Sequence, residues 1–251
     1  QNFKISAEQL EASITPRTKM FVINSPSNPS GAVYTLDELR ALGEVLRRYP
    51  QILIATDDMY EHILLSNQKF INIVNACPDL FQQTVVLNGV SKAYSMTGWR
   101  IGYCGGPAPI ITAMENIQSQ STSNPSSISQ AAAEAALNGD QSCMNPMIAA
   151  FKERNTFVTE QLNQMNGVHC LSSEGAFYAF ADIRQSISDL YNKNLIGAPN
   201  DIALSEYLLE SAGVAVVPGS AFGCDGYIRL SFATSMENLK QALSRIKNLL
   251  K

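Results

Sequence analysis

Three short apolar segments in the first half of the chain constrain its fold more than any other feature. Met20 to Asn24, Ile52 to Thr56 and Thr84 to Asn88 contain several β-branched residues and do not alternate polar with apolar positions. Such runs are typical of strands covered on both faces, as in a parallel sheet. Between the first two, Thr35 and Glu38 form a capping box that leucines follow at helical spacing. We therefore predict an α/β domain built from parallel βαβ units.

The second half has a different pattern, which predicts a smaller α+β unit. Ile101 to Cys104 is a candidate fourth strand of the first domain, and helices then dominate from about Ser126. We assign residues 1–140 to part of a large domain and residues 141–251 to a small C-terminal domain that includes the connecting helix. The predicted helices in this part of the chain are 127–137, 145–165, 201–212 and 236–250, and the predicted strands are 176–181, 214–217 and 227–232.

Composition and charge argue against several classes of protein. The formal net charge of -4 provides no basic surplus for binding phosphates, so we do not expect nucleic acid as a partner. No segment has the apolar length of a membrane span, and residues 1–10 lack the order of a signal peptide, so we expect a soluble cytoplasmic protein. His62 and His169 have no carboxylate or cysteine at a metal-ligand spacing, so we expect no metal site.

Polar clusters follow the three predicted strands of the first domain. They occupy residues 24–31, 57–61 and 91–100, and they include an Asn-Pro-Ser-Gly turn, a pair of aspartates and a Ser-Lys pair. Ligands of open parallel sheets bind at the carboxyl ends of the strands. Each cluster alone has an ordinary explanation as a turn, a helix cap or a solvated loop. Their shared position after strands therefore predicts one ligand site at that edge.

Taken in order, these motifs resemble the fold type I pyridoxal-phosphate enzymes of the class I and II aminotransferases. The resemblance rests on NPSG at residues 28–31, D-x-x-Y at 57–60, Ser91-Lys92 followed by GWR-x-G at 98–102, and the arginine of IRLSF at 228–232. It covers essentially the whole chain. It implies the large domain of that fold, incomplete here, followed by the smaller C-terminal domain.

The resemblance implies that Lys92 forms a Schiff base with pyridoxal phosphate and then moves the α-proton of the substrate. It also implies that Asp57 lies against the pyridine nitrogen and keeps that nitrogen protonated. Asp58 is adjacent but should project differently, since side chains alternate at the end of a strand, and we interpret it as a local cap or a surface carboxylate.

Other residues match family positions that hold the cofactor or the substrate. Asn28 and Tyr60 match positions that hydrogen-bond the cofactor's 3′ oxygen, and we count Tyr60 as catalytic with Lys92 and Asp57. Ser91 and Arg100 match phosphate contacts, and Arg offers a planar fork that suits this ligand. Trp99 is interpreted as a packing residue.

The substrate α-carboxylate is expected to bind Arg229, together with Asn28. The alternative for Arg229 is an exposed arginine on an edge strand, but it stands inside an otherwise apolar segment. Gly175 to Tyr178 resembles the segment that lines the substrate side, although core packing explains its two aromatic residues equally well. Asn28-Pro29 is a candidate cis peptide.

The implied activity is transfer of an amino group between an amino acid and a 2-oxo acid, in a protein expected to be a homodimer. A pyridoxal-phosphate lyase or synthase on the same scaffold remains an alternative, as does a non-catalytic regulatory protein. Family members are longer, so we expect this chain to be a fragment that lacks the N-terminal part and is inactive by itself. The amino donor stays open.

Overall fold

The three apolar segments form neighbouring parallel strands, as predicted. In a computed structural model that describes residues 2–251, β1 (Met20–Asn24) pairs with β2 (Leu53–Asp57), and β2 pairs with β3 (Thr84–Gly89). A fourth strand, β4 (Gly102–Gly105), pairs with β3 in the antiparallel direction. The order in the sheet is β1-β2-β3-β4, so the prediction of a mostly parallel sheet is confirmed.

The described residues divide into two compact units. Unit 1 comprises the residues up to Ser27 together with Ala32–Pro146, and unit 2 comprises Asn28–Gly31 together with Met147–Lys251. The short segment 28–31 therefore belongs to unit 2, although residues of unit 1 flank it on both sides in the sequence. The two residues that flank this segment, both in unit 1, are joined by a hydrogen bond of 3.0 Å from the Ser27 amide to the Ala32 carbonyl.

Unit 1 contains five helices besides its sheet. They are α1 (Ala7–Ser13), α2 (Leu36–Leu46), α3 (Ile73–Ala76), α4 (Ala108–Ser119) and α5 (Ser127–Asn138). The capping box predicted at Thr35 and Glu38 is present, with both reciprocal hydrogen bonds, and it starts α2. Leucines on one side of α2 are fully buried in a core cluster that also contains Ile23 of β1 and Ile54 of β2. The helix therefore covers one face of the sheet.

The prediction that every strand is covered on both faces is wrong for β1. Met20 and Val22 of this strand are 50% and 61% exposed, whereas Ile23 is buried. Since neighbouring side chains of a strand point to opposite faces, one face of β1 is open to solvent. Three consecutive residues of β2, Ile54 to Thr56, are buried, as the prediction required.

Unit 2 contains an antiparallel sheet with four helices. Its strands are β5 (His169–Cys170), β6 (Tyr178–Asp182), β7 (Val217–Pro218) and β8 (Tyr227–Ser231), in the order β5-β6-β8-β7. Its helices are α6 (Asn145–Asn163, which begins at the end of unit 1), α7 (Arg184–Asn192), α8 (Asp201–Ala212) and α9 (Met236–Leu249). Most predicted ranges are confirmed within a few residues. The predicted strand at 214–217 is not, since β7 shares only Val217 with it, and β5 and α7 were missed. Within residues 2–251, no helix is long and apolar enough to cross a membrane.

Asp58 is neither a cap nor a surface carboxylate, so our interpretation of this residue is wrong. It is 2% exposed and follows directly after β2. Its carboxyl group accepts hydrogen bonds of 2.6 Å from the Thr56 hydroxyl and from the Asn72 side-chain amide. Burial raises the pKa of Asp58, and these two hydrogen bonds oppose part of that rise. The carboxyl group thus joins the end of β2 to the residue that caps α3.

Gly43 provides a test of packing in unit 1. A Cβ atom at this position of α2 would collide with the Cys77 thiol. Alanine normally favours a helix over glycine by about 1 kcal/mol, but here overpacking should outweigh that gain. We expect Gly43→Ala to lower the free energy of unfolding by about 1–2 kcal/mol in urea denaturation. In a Cys77→Ala background the same change should be neutral or stabilising, and an equal loss in both backgrounds would contradict this packing.

A second prediction concerns the effect of Asp58 on how the free energy of unfolding depends on pH. Since its pKa is higher in the folded chain than in the unfolded chain, the folded state holds its proton over the interval between the two values. Stability should therefore fall as pH rises through that interval. Asp58→Asn cannot titrate, so its stability relative to wild type should improve with rising pH. Urea denaturation over a pH series measures this difference, and Asp37→Asn, at an exposed carboxylate, is the control. A difference that does not change with pH would refute the prediction.

Candidate active site

The carboxyl ends of the parallel strands form the edge where the sequence predicted a ligand site. Asn24 and Asp57 are register partners at the ends of β1 and β2. Gly89, at the end of β3, pairs with Gly102, at the start of β4. Because β4 runs antiparallel to β3, the connection between them, residues 90–101, starts and ends at this same edge. The edge therefore carries the aspartate cluster and the lysine loop together.

The aspartate cluster is held by main-chain contacts. The Asn24 side-chain amide donates a hydrogen bond of 2.9 Å to the Asp57 carbonyl, and the Asp58 amide donates one of 2.9 Å to the Leu87 carbonyl of β3. The Asp57 carboxylate accepts a hydrogen bond of 3.2 Å from the Met59 amide. Tyr60 is buried, with 4% exposure. These contacts fix the turn that carries the Asp57 and Tyr60 side chains.

The loop between β3 and β4 carries the other predicted residues of unit 1. Ser91 and Lys92 are half-buried, and the Ser95 amide donates a hydrogen bond of 3.3 Å to the Lys92 carbonyl. Arg100 has left-handed backbone geometry, with φ of 50°, and its side chain is exposed and donates to the Thr97 carbonyl at 3.0 Å. Trp99 is 43% exposed, so it is less buried than a packing residue would be.

Arg229 lies in unit 2, in the middle of a strand. It belongs to β8, where it pairs with Phe180 of β6 on one side and with Val217 of β7 on the other. The alternative interpretation of Arg229 as a residue of an edge strand is therefore wrong. Its guanidinium group donates a hydrogen bond of 2.8 Å from Nη1 to the Asn28 side-chain oxygen. Among the side chains of residues 2–251, its Nε is the buried polar atom without a hydrogen-bond partner.

Two aromatic rings flank this guanidinium group. Its central carbon lies 4.6 Å from the centre of the Tyr178 ring and 5.0 Å from the centre of the Phe222 ring. A cation over an aromatic ring is stabilised without using its hydrogen-bond donors. Arg229 is thus held by two rings and one amide oxygen. The other N–H groups of its guanidinium can still donate hydrogen bonds to an anion.

The segment that carries Asn28 is bound tightly within unit 2. The Asn28-Pro29 peptide is cis, as predicted. The Gly31 carbonyl accepts hydrogen bonds from the Glu174 and Gly175 amides at 3.0 and 2.9 Å. Gly31 has φ of 69°, and a Cβ there would collide with Ser173 and with the Gly175 carbonyl, so the position requires glycine. This fixed turn places the Asn28 side chain at Arg229.

The predicted site residues thus fall into two groups. Unit 1 contributes Asp57, Tyr60, Ser91, Lys92 and Arg100, and unit 2 contributes Asn28 and Arg229. The sequence interpretation missed Phe222 and treated Tyr178 as equally explained by packing. The aromatic residue of the Gly-Ser-Ala-Phe-Gly turn at 219–223 was the sequence signal that could have indicated it.

The chain matches known proteins over almost its whole length. The family model for aminotransferase class I and II matches residues 1–246. The chain is 72% identical over 250 residues to the aspartate/prephenate aminotransferase of Nitrosomonas europaea, covering 100% of this chain and 63% of that protein. It is 50% identical over 248 residues to the aspartate/prephenate aminotransferase of Cereibacter sphaeroides, covering 98% of this chain and 61% of that protein.

Solved structures show the same likeness. An aspartate aminotransferase from Rhizobium meliloti superposes with a TM-score of 0.89 at 46% identity, covering 99% of this chain and 62% of that one. An aspartate aminotransferase from Thermus thermophilus with maleate gives 0.86 at 38% identity, covering 99% of this chain and 61% of that one. This chain thus spans about three fifths of the length of the curated relatives it matches. From these matches we conclude that the chain belongs to the class I and II aminotransferase family, whose members use pyridoxal phosphate.

Proposed function

We propose that the protein containing this chain is an aminotransferase that moves an amino group between an amino acid and a 2-oxo acid, with pyridoxal phosphate held at Lys92. The observation that carries the proposal is the common sheet edge. There a carboxylate at Asp57 and the amine-bearing loop of Lys92 follow neighbouring strands. The family to which the chain belongs supports amino-group transfer as the class of reaction.

The donor set at this edge fits the chemistry of pyridoxal phosphate. An aldehyde needs an amine, which Lys92 supplies, and a pyridinium nitrogen needs a carboxylate, which Asp57 supplies. A phosphate needs a cation and hydroxyl donors, and Arg100 and Ser91 offer both on the same loop. The cofactor, once bound, supplies an electron sink that stabilises negative charge at the substrate α-carbon.

The chain's own residues would then supply orientation and proton transfer. Lys92 would take the α-proton of the amino acid as general base and would give up a proton again as general acid. Asp57 keeps the ring nitrogen protonated, and the Met59 amide helps to hold its carboxylate in place. Tyr60 is buried at this edge, and its hydroxyl would donate a hydrogen bond to the 3′ oxygen.

The α-carboxylate of the substrate would bind Arg229. A carboxylate and a guanidinium group form two parallel charge-assisted hydrogen bonds, which define the direction of the ligand as well as its charge. The unpartnered buried Nε, the two flanking rings and the Asn28 contact support this role. Amino and oxo acids share this carboxylate, so one clamp would serve both halves of the reaction.

For substrates, we propose aspartate as amino donor and prephenate as acceptor. The support is the relative at 72% identity, which is an aspartate/prephenate aminotransferase. The resemblance to the family further supports a homodimer, and we propose that it is located in the cytoplasm. Residues 1–140 would belong to the large cofactor-binding domain and residues 141–251 to the small domain. Sedimentation of the full-length protein would test the dimer.

Removal of the Lys92 amine tests the proposed cofactor anchor. In the full-length protein, Lys92→Ala should lose the visible absorption of lysine-bound cofactor and at least about a hundredfold in aspartate transamination rate. Borohydride treatment of wild type should leave a covalent label on the peptide that contains Lys92, detected by mass spectrometry. Lys69→Ala, at an exposed lysine, is the control. A label at another lysine, or full activity in Lys92→Ala, would overturn the assignment.

Arg229→Lys tests the carboxylate clamp while keeping the positive charge. Lysine cannot form the bidentate pair, so the dissociation constant of maleate, measured by calorimetry on the holoenzyme, should rise about tenfold or more. Arg184→Lys is a matched control, because Arg184 also lies over a tyrosine ring, that of Tyr227, and bonds an acceptor, Asp182, in unit 2. Equal affinities in the two variants would contradict the clamp.

A further inference from the structure

Asn155 is a buried polar residue of unit 2 that the proposed reaction does not use. It lies on helix α6 and is 5% exposed. Its side-chain amide donates hydrogen bonds of 2.9 Å to the Ser173 carbonyl and 3.2 Å to the Ser172 hydroxyl. Its side-chain oxygen accepts a hydrogen bond of 3.4 Å from the Ser173 amide. One side chain thus binds both polar groups of the Ser173 main chain.

The turn that Asn155 holds is in contact with the Asn28 segment. Directly after Ser173, the amides of Glu174 and Gly175 donate to the Gly31 carbonyl. Ser173 itself lies so close to Gly31 that no Cβ fits between them. A displacement of this turn would therefore move the segment 28–31, and with it the Asn28 oxygen that accepts from Arg229.

The same turn also holds the aromatic ring next to Arg229. The Ser173 hydroxyl donates a hydrogen bond to the Tyr178 carbonyl, at the start of β6. The Tyr178 ring in turn lies against the Arg229 guanidinium group at 4.6 Å. Ser173 thus contacts the two groups that hold Arg229. It lies against the segment that carries Asn28, and it is hydrogen-bonded to Tyr178.

We propose that Asn155 is a positioning residue for the carboxylate clamp, because it fixes the Ser173 turn that holds both Asn28 and Tyr178 at Arg229. This inference rests on the proposed function of Arg229. Asn155 does not contact the substrate in this proposal. Its effect is to keep the guanidinium fork in the orientation that accepts a carboxylate, without reorganisation on binding.

Asn163 offers a matched control on the same helix. Its amide donates a hydrogen bond of 2.8 Å to the Cys170 carbonyl, and its oxygen accepts one of 2.9 Å from the Cys170 amide. It therefore makes the same two-sided contact with a main chain, at β5 instead of the Ser173 turn. Asn163 is exposed, whereas Asn155 is buried, but the loss of either asparagine removes hydrogen bonds to both polar groups of a main-chain residue. A purely structural role therefore predicts no selective loss of maleate affinity in the Asn155 variant.

The experiment compares Asn155→Ala and Asn163→Ala in the full-length holoenzyme. Both variants should have lower melting temperatures than wild type, because each loses hydrogen bonds to the main chain, and the decrease should be larger for Asn155→Ala, since Asn155 is buried and Asn163 is exposed. The dissociation constant of maleate, measured by calorimetry, should rise at least about fivefold in Asn155→Ala and stay within about twofold of wild type in Asn163→Ala. Asn155→Asp is the second variant, since it keeps the size and the acceptor but loses both donated bonds, and it should weaken maleate binding at least about twofold.

Unchanged maleate affinity in a folded Asn155→Ala, or in Asn155→Asp if the alanine variant does not fold, would overturn the proposal. Equal weakening in Asn155→Ala and Asn163→Ala would also overturn it, because the effect would then follow from general loss of stability. Arg229→Lys separates the two levels of inference. If Arg229→Lys also leaves maleate affinity unchanged, the clamp itself is wrong; if only Arg229→Lys weakens binding, the clamp stands and the role of Asn155 fails.

Discussion

The parallel pairing of β1, β2 and β3 is the constraint on which the candidate active site depends. It brings the ends of successive strands to one edge, so Asp57 and the loop after Gly89 meet there although they are far apart in sequence. The antiparallel return of β4 brings the other end of that loop back to the same edge. Lys92 and Arg100 therefore lie near the two ends of the loop, within three residues of a strand. A cofactor with a ring, an aldehyde and a phosphate needs donors in such a fixed order.

Unit 2 holds Arg229, a partly buried arginine whose Nε is fully buried, in a form that can accept an anion. The two aromatic rings and the Asn28 oxygen stabilise the Arg229 charge while one of its donors stays without a partner. An unsatisfied buried donor costs free energy, and a ligand that satisfies it recovers that cost on binding. Rigidity of the surrounding turns thus contributes to affinity, because the clamp does not need to reorganise.

Much of this could be predicted from the sequence, and the reasons are local. The apolar runs of the three strands, the capping box at Thr35 and the motif order are short-range patterns, and each predicted a feature near its observed place. Asp58 was misinterpreted because its burial depends on Thr56 and on Asn72, which is fourteen residues away in the sequence. The position of Tyr178 beside Arg229 is likewise set by the pairing of β6 with β8, and that of Phe222 by the turn that precedes β8. Helices α4 and α7 were missed, and neither of them has a side-chain cap at its start.

The most direct test of this account is an electron density map of the full-length protein crystallised with pyridoxal phosphate and maleate. The account predicts continuous density from the Lys92 amine to the cofactor, the Asp57 carboxylate within hydrogen-bond distance of the ring nitrogen, and a maleate carboxylate on Arg229. A cofactor whose ring nitrogen faces away from Asp57, or whose nearest amine is not that of Lys92, would contradict it.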